Sequence, residues 1–225
     1  KKTEYLKLNP NAVVPTLVHD GKVIRESTLI CEYLDETFPG APLRPNDPYS
    51  RVQMRMWTKR LDEEQHPNTG PVTYAISHRH VVLQYGPEAV EEYFKSVPPE
   101  RAERRRRMLS EGIDAPRPSA CLLAYDNFLA DMETVLADRL WLAGDMFSLA
   151  DVGVIPYVNR LDMLQCAGMW TESRPRLTDW WERVKARPMF QAALFDFITE
   201  ELKTLMSEKG AEAWPTVKKV LAEAA

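Results

Sequence analysis

Apolar positions in the first forty residues change their spacing from that of strands to that of a helix. Residues 13–18 and 22–24 are short, apolar and β-branched segments, and the His-Asp-Gly sequence at 19–21 favours a turn between them. Apolar residues within 29–34 then recur at helical spacing, and Phe-Pro-Gly at 38–40 ends that helix. The pattern predicts a strand, a turn, a strand and a helix.

A proline-rich segment separates this region from the remainder of the chain. FPGAPLRPNDP holds prolines that restrain φ and remove backbone donors, which is typical of a linker. Helical spacing of apolar residues follows at 52–61, 122–136, 152–164 and 177–184. The proline-interrupted segment 67–118 predicts weak helices and a long connection. We therefore predict an α/β domain over residues 1–38, a linker over 39–48 and an all-helical domain over 49–225.

The amino-acid composition limits which kinds of binding partner the protein is expected to have. Of 225 residues, 44% are hydrophobic and 28% are charged, as in an ordinary folded globular protein. A net charge of -4 gives no general attraction to nucleic acid or to an anionic membrane, and no apolar run is long enough to span a bilayer. The three widely spaced cysteines do not predict a disulfide framework or a zinc site, and they favour a reducing cytoplasm.

Two residue pairs in the α/β region are the candidates for ligand binding. A proline within a paired strand lacks an amide donor, so Pro15 after Val14 marks either an edge strand or a cis bond at a functional bend. Glu26 and Ser27 come where the second strand gives way to the helix. Ser27 suits an N-cap, and the first turn of the helix offers unpaired amides to a carboxylate. The alternative for both pairs is a purely structural role.

The segment NPNAVVPTLVHDGKVIRESTLICEYLDETFP resembles the second half of the thioredoxin-like domain of glutathione transferases. FSLADVGVIPYVNRL and LTDWWERVKARPMFQAAL resemble helices of the second domain in the same family, so the resemblance extends from about Leu6 to Leu194. It implies the cytosolic glutathione transferase architecture. That architecture is an α/β thioredoxin-like domain, here incomplete at its N-terminus, plus an all-α helical bundle.

The resemblance also implies which residues bind glutathione. In the family, the residue in the place of Val14 pairs its backbone with the cysteinyl part of glutathione, and the proline in the place of Pro15 is cis. The pair in the places of Glu26 and Ser27 receives the γ-glutamyl end. The family often has lysine or glutamine before the Val-Pro pair, where this chain has Val13, so we expect glutathione binding to rely on other groups here.

A second motif has a structural interpretation. Ser148 and Asp151 form an S-x-x-D arrangement like a capping box, in which the serine caps the helix and the aspartate reaches back to the cap amide. Loss of Asp151 is therefore predicted to reduce stability without directly removing chemistry. Pro156 predicts an interruption in the same helix.

The residue that activates the thiol is expected outside this sequence. The thiolate is the attacking form, and the family stabilises it with a tyrosine, serine or cysteine in a segment that would lie upstream of Lys1. Cys31 is the alternative, but its apolar neighbours favour core packing. His78 and His80 lack the companion ligands of a metal site, so no metal is predicted. The run Arg104–Arg107 is interpreted as a solvated face, with an anion-attracting rim as the alternative.

A finer resemblance concerns the substrate. LRPNDPYSRVQMRMWTKRLDE and EEYFKSVPPERAERRRRMLSEGIDAP resemble bacterial transferases that cleave β-aryl ethers in lignin fragments. This resemblance implies an enzyme whose glutathione thiolate attacks an aromatic electrophile held by the helical domain, and a homodimer. The alternatives are a non-catalytic glutathione-binding or structural protein of the same fold, and a glutathione-dependent isomerase or dehalogenase.

Overall fold

The computed structural model describes residues 3–95 and 97–224, apart from the side chain of Phe195. The chain divides into two compact units, one made of the residues up to Asp62 together with Arg139–Val154, and the other of Glu63–Asp138 with the residues from Ile155 onward. The domain boundaries proposed from the sequence, at 38 and 49, stay predictions.

The first unit contains the only strands of the described residues. Its elements in chain order are α1 (Thr3–Leu8), β1 (Thr16–His19), β2 (Lys22–Arg25), α2 (Ser27–Thr37) and α3 (Pro48–Arg60). The predicted order of strand, turn, strand and helix is confirmed.

The two strands form an antiparallel hairpin in which Thr16 pairs with Arg25 and His19 pairs with Lys22. Asp20 and Gly21 form the turn with φ angles of 49° and 73°. Positive φ at both turn positions matches the twist of a two-residue hairpin, which is why aspartate and glycine are favoured there. This turn fixes the register of the strands.

Aromatic contacts join the hairpin to α2. His19 Nδ1 lies 2.7 Å from the Tyr33 hydroxyl, and the two rings meet edge to face at 5.8 Å between centroids. Phe38, directly after α2, packs its ring 5.1 Å from the same imidazole. The turn end of the hairpin therefore rests on the C-terminal half of α2.

Asp35 on α2 holds the proline-rich segment in place. Its carboxylate is nearly buried and accepts hydrogen bonds from the Leu43 amide and from Arg44 Nε, both at 2.7 Å. The hydrogen bond to Asp35 also raises the pKa of the Arg44 guanidinium. The segment is thus ordered by a charge-assisted contact as well as by its prolines.

Helices make up the second unit. The elements after α3 are α4 (His66–Thr73), α5 (Arg79–Leu83), α6 (Pro87–Lys95), α7 (Pro99–Glu111), α8 (Pro116–Val135), α9 (Leu149–Met163), α10 (Gly168–Thr171), α11 (Pro175–Lys185), α12 (Pro188–Leu194) and α13 (Glu200–Ala222). Single π-helical turns at Leu61–Gln65 and Tyr74–His78 adjoin α4, and α9 begins in the first unit. Three buried tryptophans, Trp170, Trp180 and Trp181, contribute to the core.

Prolines misled the sequence prediction in two places. The long connection expected within 67–118 is wrong, because this segment is largely helical and its prolines at 87, 99 and 116 stand at helix starts. The first position of a helix tolerates proline, since its amide would have no partner there. The interruption expected at Pro156 is also wrong, because α9 continues through that residue. Only the bond to the Val152 carbonyl lacks its donor.

None of the helices in the described residues is long and apolar enough to cross a bilayer.

Candidate glutathione site

The Val14–Pro15 peptide bond is cis, and β1 begins at the next residue. The Val14 side chain is 81% exposed, although valine is usually buried. Pro15 is exposed as well and lies outside the paired region of the hairpin. The backbone at Val14 is therefore not occupied by pairing with β2.

Asn9, a residue that no motif in the sequence indicates, holds this bend in place. The side chain is 1% exposed, and its amide nitrogen donates to the Val13 carbonyl at 2.8 Å and to Thr16 Oγ1 at 3.3 Å. The Tyr5 hydroxyl also donates to the Val13 carbonyl and lies 2.9 Å from Thr16 Oγ1. Asn9 and Tyr5 thus hold the residues on either side of the Val14–Pro15 pair.

Glu26 occupies the N-cap of α2, and Ser27 is the first helical residue. The prediction of Ser27 as the N-cap is therefore wrong by one position. Glu26 adopts a φ of 68°, and its carbonyl accepts the first intrahelical bond, from the Ile30 amide at 2.9 Å. This bond sets the start of the helix one residue earlier than expected, and the Glu26 side chain makes no cap hydrogen bond.

The first turn of α2 presents donors to solvent. Because the Ile30 amide makes the first intrahelical bond, the amides of Ser27, Thr28 and Leu29 have no intrahelical acceptor. Glu26 and Ser27 are exposed, so these amides and side chains are accessible to a ligand. Thr28 Oγ1 donates to Asp62 Oδ2 at 2.8 Å, which anchors the turn from its other side.

The hairpin register brings the two predicted pairs to the same end of the sheet. Thr16 pairs with Arg25, so the residues directly outside the pair are Pro15 and Glu26. Cross-strand partners in an antiparallel ladder lie about 4.5 to 5.5 Å apart. An exposed bend and the start of α2 therefore stand side by side, opposite the hairpin turn. A positive helix end beside free backbone groups suits a peptide that carries a carboxylate.

Ser148 and Asp151 lie elsewhere, at the start of α9, and both are fully buried. The Ala150 amide donates to Ser148 Oγ at 3.3 Å, and the Ser148 amide donates back to Asp151 Oδ2 at 3.0 Å. These are the two reciprocal contacts of a capping box. Asp151 Oδ1 also accepts from the Leu142 amide at 3.1 Å, which joins the helix to the preceding loop.

The cysteines do not have the surroundings of activated nucleophiles. Burial raises the pKa of the thiols of Cys31 and Cys121, and it raises the pKa of the Cys166 thiol to about 12. A raised pKa keeps a thiol protonated, whereas a nucleophile needs the thiolate. This agrees with the interpretation of Cys31 as a packing residue.

Comparisons with known proteins define the protein family to which this chain belongs. The family model for the N-terminal domain of glutathione S-transferases matches residues 1–42, and the model for the C-terminal domain matches residues 98–183. Protein LigF of Sphingobium sp. strain SYK-6 is 32% identical over 215 residues, covering 92% of this chain and 83% of the relative. The chain belongs to the glutathione S-transferase family.

A solved structure of LigF and one other relative agree with this assignment. The crystal structure of beta-etherase LigF from the same Sphingobium strain superposes with a TM-score of 0.69 at 30% identity, covering 87% of this chain and 83% of that one. Glutathione transferase GST 23 of Zea mays is 26% identical, covering 87% of this chain and 74% of the relative. The predicted architecture of a thioredoxin-like domain and a helical domain is confirmed, and the family uses glutathione as its cosubstrate.

Within residues 3–95 and 97–224, no three histidine, cysteine, aspartate or glutamate side chains cluster in a way that could hold a metal ion.

Proposed function

We propose that this protein binds glutathione at Val14, Pro15, Glu26 and Ser27 and uses its thiolate to cleave aromatic β-aryl ethers. The observation that carries the binding site is the hairpin register, which sets the Val14–Pro15 bend beside the first turn of α2. The printed name of LigF, a beta-etherase, supports the choice of ether as substrate.

The chemistry of each group suits one part of glutathione. The γ-glutamyl end carries a carboxylate, which the amides of Ser27 and Thr28 and the Ser27 hydroxyl can bind, and an ammonium, which the Glu26 carboxylate can bind. The backbone of Val14 is free to pair with the extended cysteinyl part as an added strand does. Asn9 acts as a positioning residue, since it holds the Val13 carbonyl next to that backbone.

In the proposed reaction, the thiolate sulfur forms a bond to the carbon beside a ketone, and the bond from that carbon to the aryl oxygen breaks. The electron pair leaves with the phenolate, which takes up a proton from solvent that balances the proton released when the glutathione thiol ionised. The products are a glutathione thioether and a phenol, and no external oxidant or reductant is consumed. The thiol-activating residue expected upstream of Lys1 stays a prediction.

Replacing Ser27 with alanine tests the binding site. Hydrogen bonds to charged groups contribute about 1.5 to 3 kcal/mol, so we expect the dissociation constant for glutathione to rise by about 10-fold to 100-fold. Isothermal titration of the full-length protein measures this constant. Ser110→Ala is the control, because Ser110 is an exposed helical serine that bonds to the carbonyls of Arg106 and Arg107. Equal affinities of Ser27→Ala and the unmodified protein would refute the site.

Incubation of the full-length protein with glutathione and a β-aryl ether of an aryl ketone tests the reaction. We expect phenol and glutathione thioether in equal amounts, with release of phenol abolished when glutathione is omitted. Chromatography of both products measures the stoichiometry. If the protein binds glutathione yet releases no phenol, the ether substrate is wrong. If conjugation and thiol exchange are absent as well, the non-catalytic alternative applies.

Two further features of the proposal depend on the family. We propose that the protein forms homodimers, as is typical of glutathione transferases. The reducing cytoplasm is the proposed location, which agrees with the absence of disulfides among the three cysteines, all of them described residues.

A further inference from the structure

A small cavity of about 220 Å³ lies in the second unit, and none of the residues assigned to glutathione lines it. Its lining comes from α5, the end of α7 with the 3₁₀ turn that follows it, α13, and the π-helical turn after α4. Irregular π-helical turns occur frequently at functional sites. The volume is below the range of about 300 to 1,000 Å³ that is common for drug-sized ligands, so the cavity suits a small molecule.

Several charged side chains of the lining are neutralised by a neighbour on their own helix. Lys209 and Glu212 on α13 form an ion pair at 2.6 Å. Glu111 at the end of α7 forms an ion pair with Arg107 at 2.9 Å. These pairs leave little net charge at their positions in the lining.

Arg79 and Asp114 differ from these pairs, because neither forms an ion pair within residues 3–95 and 97–224. Arg79 lines the cavity from α5, and Asp114 lines it from the 3₁₀ turn after α7. The lining therefore offers a ligand one positive and one negative side chain.

The Arg79 guanidinium is held in a fixed position. Its Nη1 donates to the Leu109 carbonyl at 3.1 Å, and its Nε is buried without a hydrogen-bond partner among the described residues. Gly112 has a φ of 63°, and a Cβ atom there would lie 3.0 Å from both Cζ and Nε of Arg79. The guanidinium thus packs against the glycine backbone, and a group fixed in this way loses less conformational entropy when it binds a carboxylate.

His80 adds a polar contact to the lining without adding a charge. Burial, together with the charges of Arg79 and Lys209, lowers the pKa of the His80 imidazole, which is therefore neutral at pH 7. A neutral imidazole donates one hydrogen bond and accepts another. The Thr216 hydroxyl is a second uncharged polar group of the lining. Arg79 and Asp114 therefore determine which charges a ligand must carry.

We propose that this cavity binds a small free α-amino acid, with its carboxylate on Arg79 and its ammonium group on Asp114. The planar guanidinium matches the geometry of a carboxylate, and the Asp114 carboxylate accepts hydrogen bonds from an ammonium group. The apolar lining residues Ile76, Ile113 and Ala213 suit an aliphatic side chain. The inference does not depend on the proposed glutathione site.

Titration of the full-length protein with L-valine, in buffer without glutathione, tests the site. We expect saturable binding in ligand-observed NMR. Two analogues separate the charges, since 3-methylbutanoate lacks only the ammonium group and 2-methylpropan-1-amine lacks only the carboxylate. The first should bind about threefold more weakly than valine, because Asp114 is exposed, and the second about tenfold more weakly, because Arg79 is partly buried.

Substitutions of the two charged residues assign each contact. Asp114→Asn should weaken valine by about threefold and leave 3-methylbutanoate unchanged, since that analogue has no ammonium group. Asp145→Asn is the matched control, because Asp145 is an exposed aspartate that does not line the cavity. Arg79→Gln should weaken valine by about tenfold and leave 2-methylpropan-1-amine unchanged.

A substitution in the wall tests the location independently of charge. Ala213 lines the cavity from α13, so Ala213→Leu places a larger side chain in a small space and should abolish binding of valine. Ala211→Leu is the matched control, because Ala211 is exposed on the same helix and does not line the cavity. Circular dichroism reports folding, and the Asp114 and Ala213 variants test the site if Arg79→Gln does not fold.

Three results would overturn the proposal. They are the absence of saturable valine binding to the unmodified protein, equal effects of Asp114→Asn and Asp145→Asn, and valine binding that folded Ala213→Leu leaves unchanged.

Discussion

Replacing Asp151 with alanine is expected to lower the free energy of unfolding by about 3 to 5 kcal/mol, since three buried donors lose their acceptor. The donors are the Leu142 amide, the Ser148 amide and the Ser148 hydroxyl, at 3.0 to 3.1 Å from the carboxylate. Water cannot replace the carboxylate without opening the structure, because the side chains of Leu142, Ser148 and Asp151 are fully buried. The expected decrease in the free energy of unfolding therefore includes the cost of leaving buried donors unpaired as well as the loss of the hydrogen bonds themselves.

Urea unfolding of Asp151→Ala and Asp145→Ala measures this effect. Asp145 is an exposed aspartate in the same loop, so its replacement should change the free energy by less than about 0.5 kcal/mol. Glutathione affinity of folded Asp151→Ala should equal that of the unmodified protein, because the contacts of Asp151 are structural. A loss of stability below about 1 kcal/mol would contradict the capping interpretation.

Local patterns were sufficient to predict the hairpin and α2. The hairpin follows from β-branched segments around Asp20-Gly21, whose conformational preferences are decided within a few residues. The helix after Glu26 follows from apolar spacing, and only its first residue was misplaced. Both pairs of the proposed glutathione site lie in this locally determined region, and their assignment to glutathione came from the family resemblance.

Features that depend on distant contacts could not be predicted in the same way. Asn9 looks like a turn residue in the sequence, and its role depends on the burial that places its amide against Val13 and Thr16. The packing of α6 against α7 through buried apolar residues is likewise not fixed by any local pattern. Prolines such as Pro87 and Pro99 are ambiguous in the sequence, because a proline is compatible both with the end of one helix and with the first position of the next.

Gly210 is constrained in the same way, by a residue that is distant in the sequence. Gly210 is buried on α13, where a Cβ atom would lie 2.0 Å from the Leu164 carbonyl oxygen and 2.3 Å from its carbon. These atoms belong to the backbone directly after α9, so no rotation of a side chain relieves the overlap. Gly210→Ala is therefore expected to lower stability by about 3 kcal/mol, the upper end of the usual cost of overpacking.

Gly70→Ala is the matched control for this substitution, because it makes the same chemical change inside another helix. A Cβ atom at Gly70 meets no other atom within 4 Å, so the higher helix propensity of alanine should raise stability by about 0.5 to 1 kcal/mol. Thermal unfolding of the two variants should therefore move in opposite directions from the unmodified protein. If Gly210→Ala were instead stabilising, the close approach of α13 to Leu164 would be wrong, since helix propensity alone favours alanine at both positions.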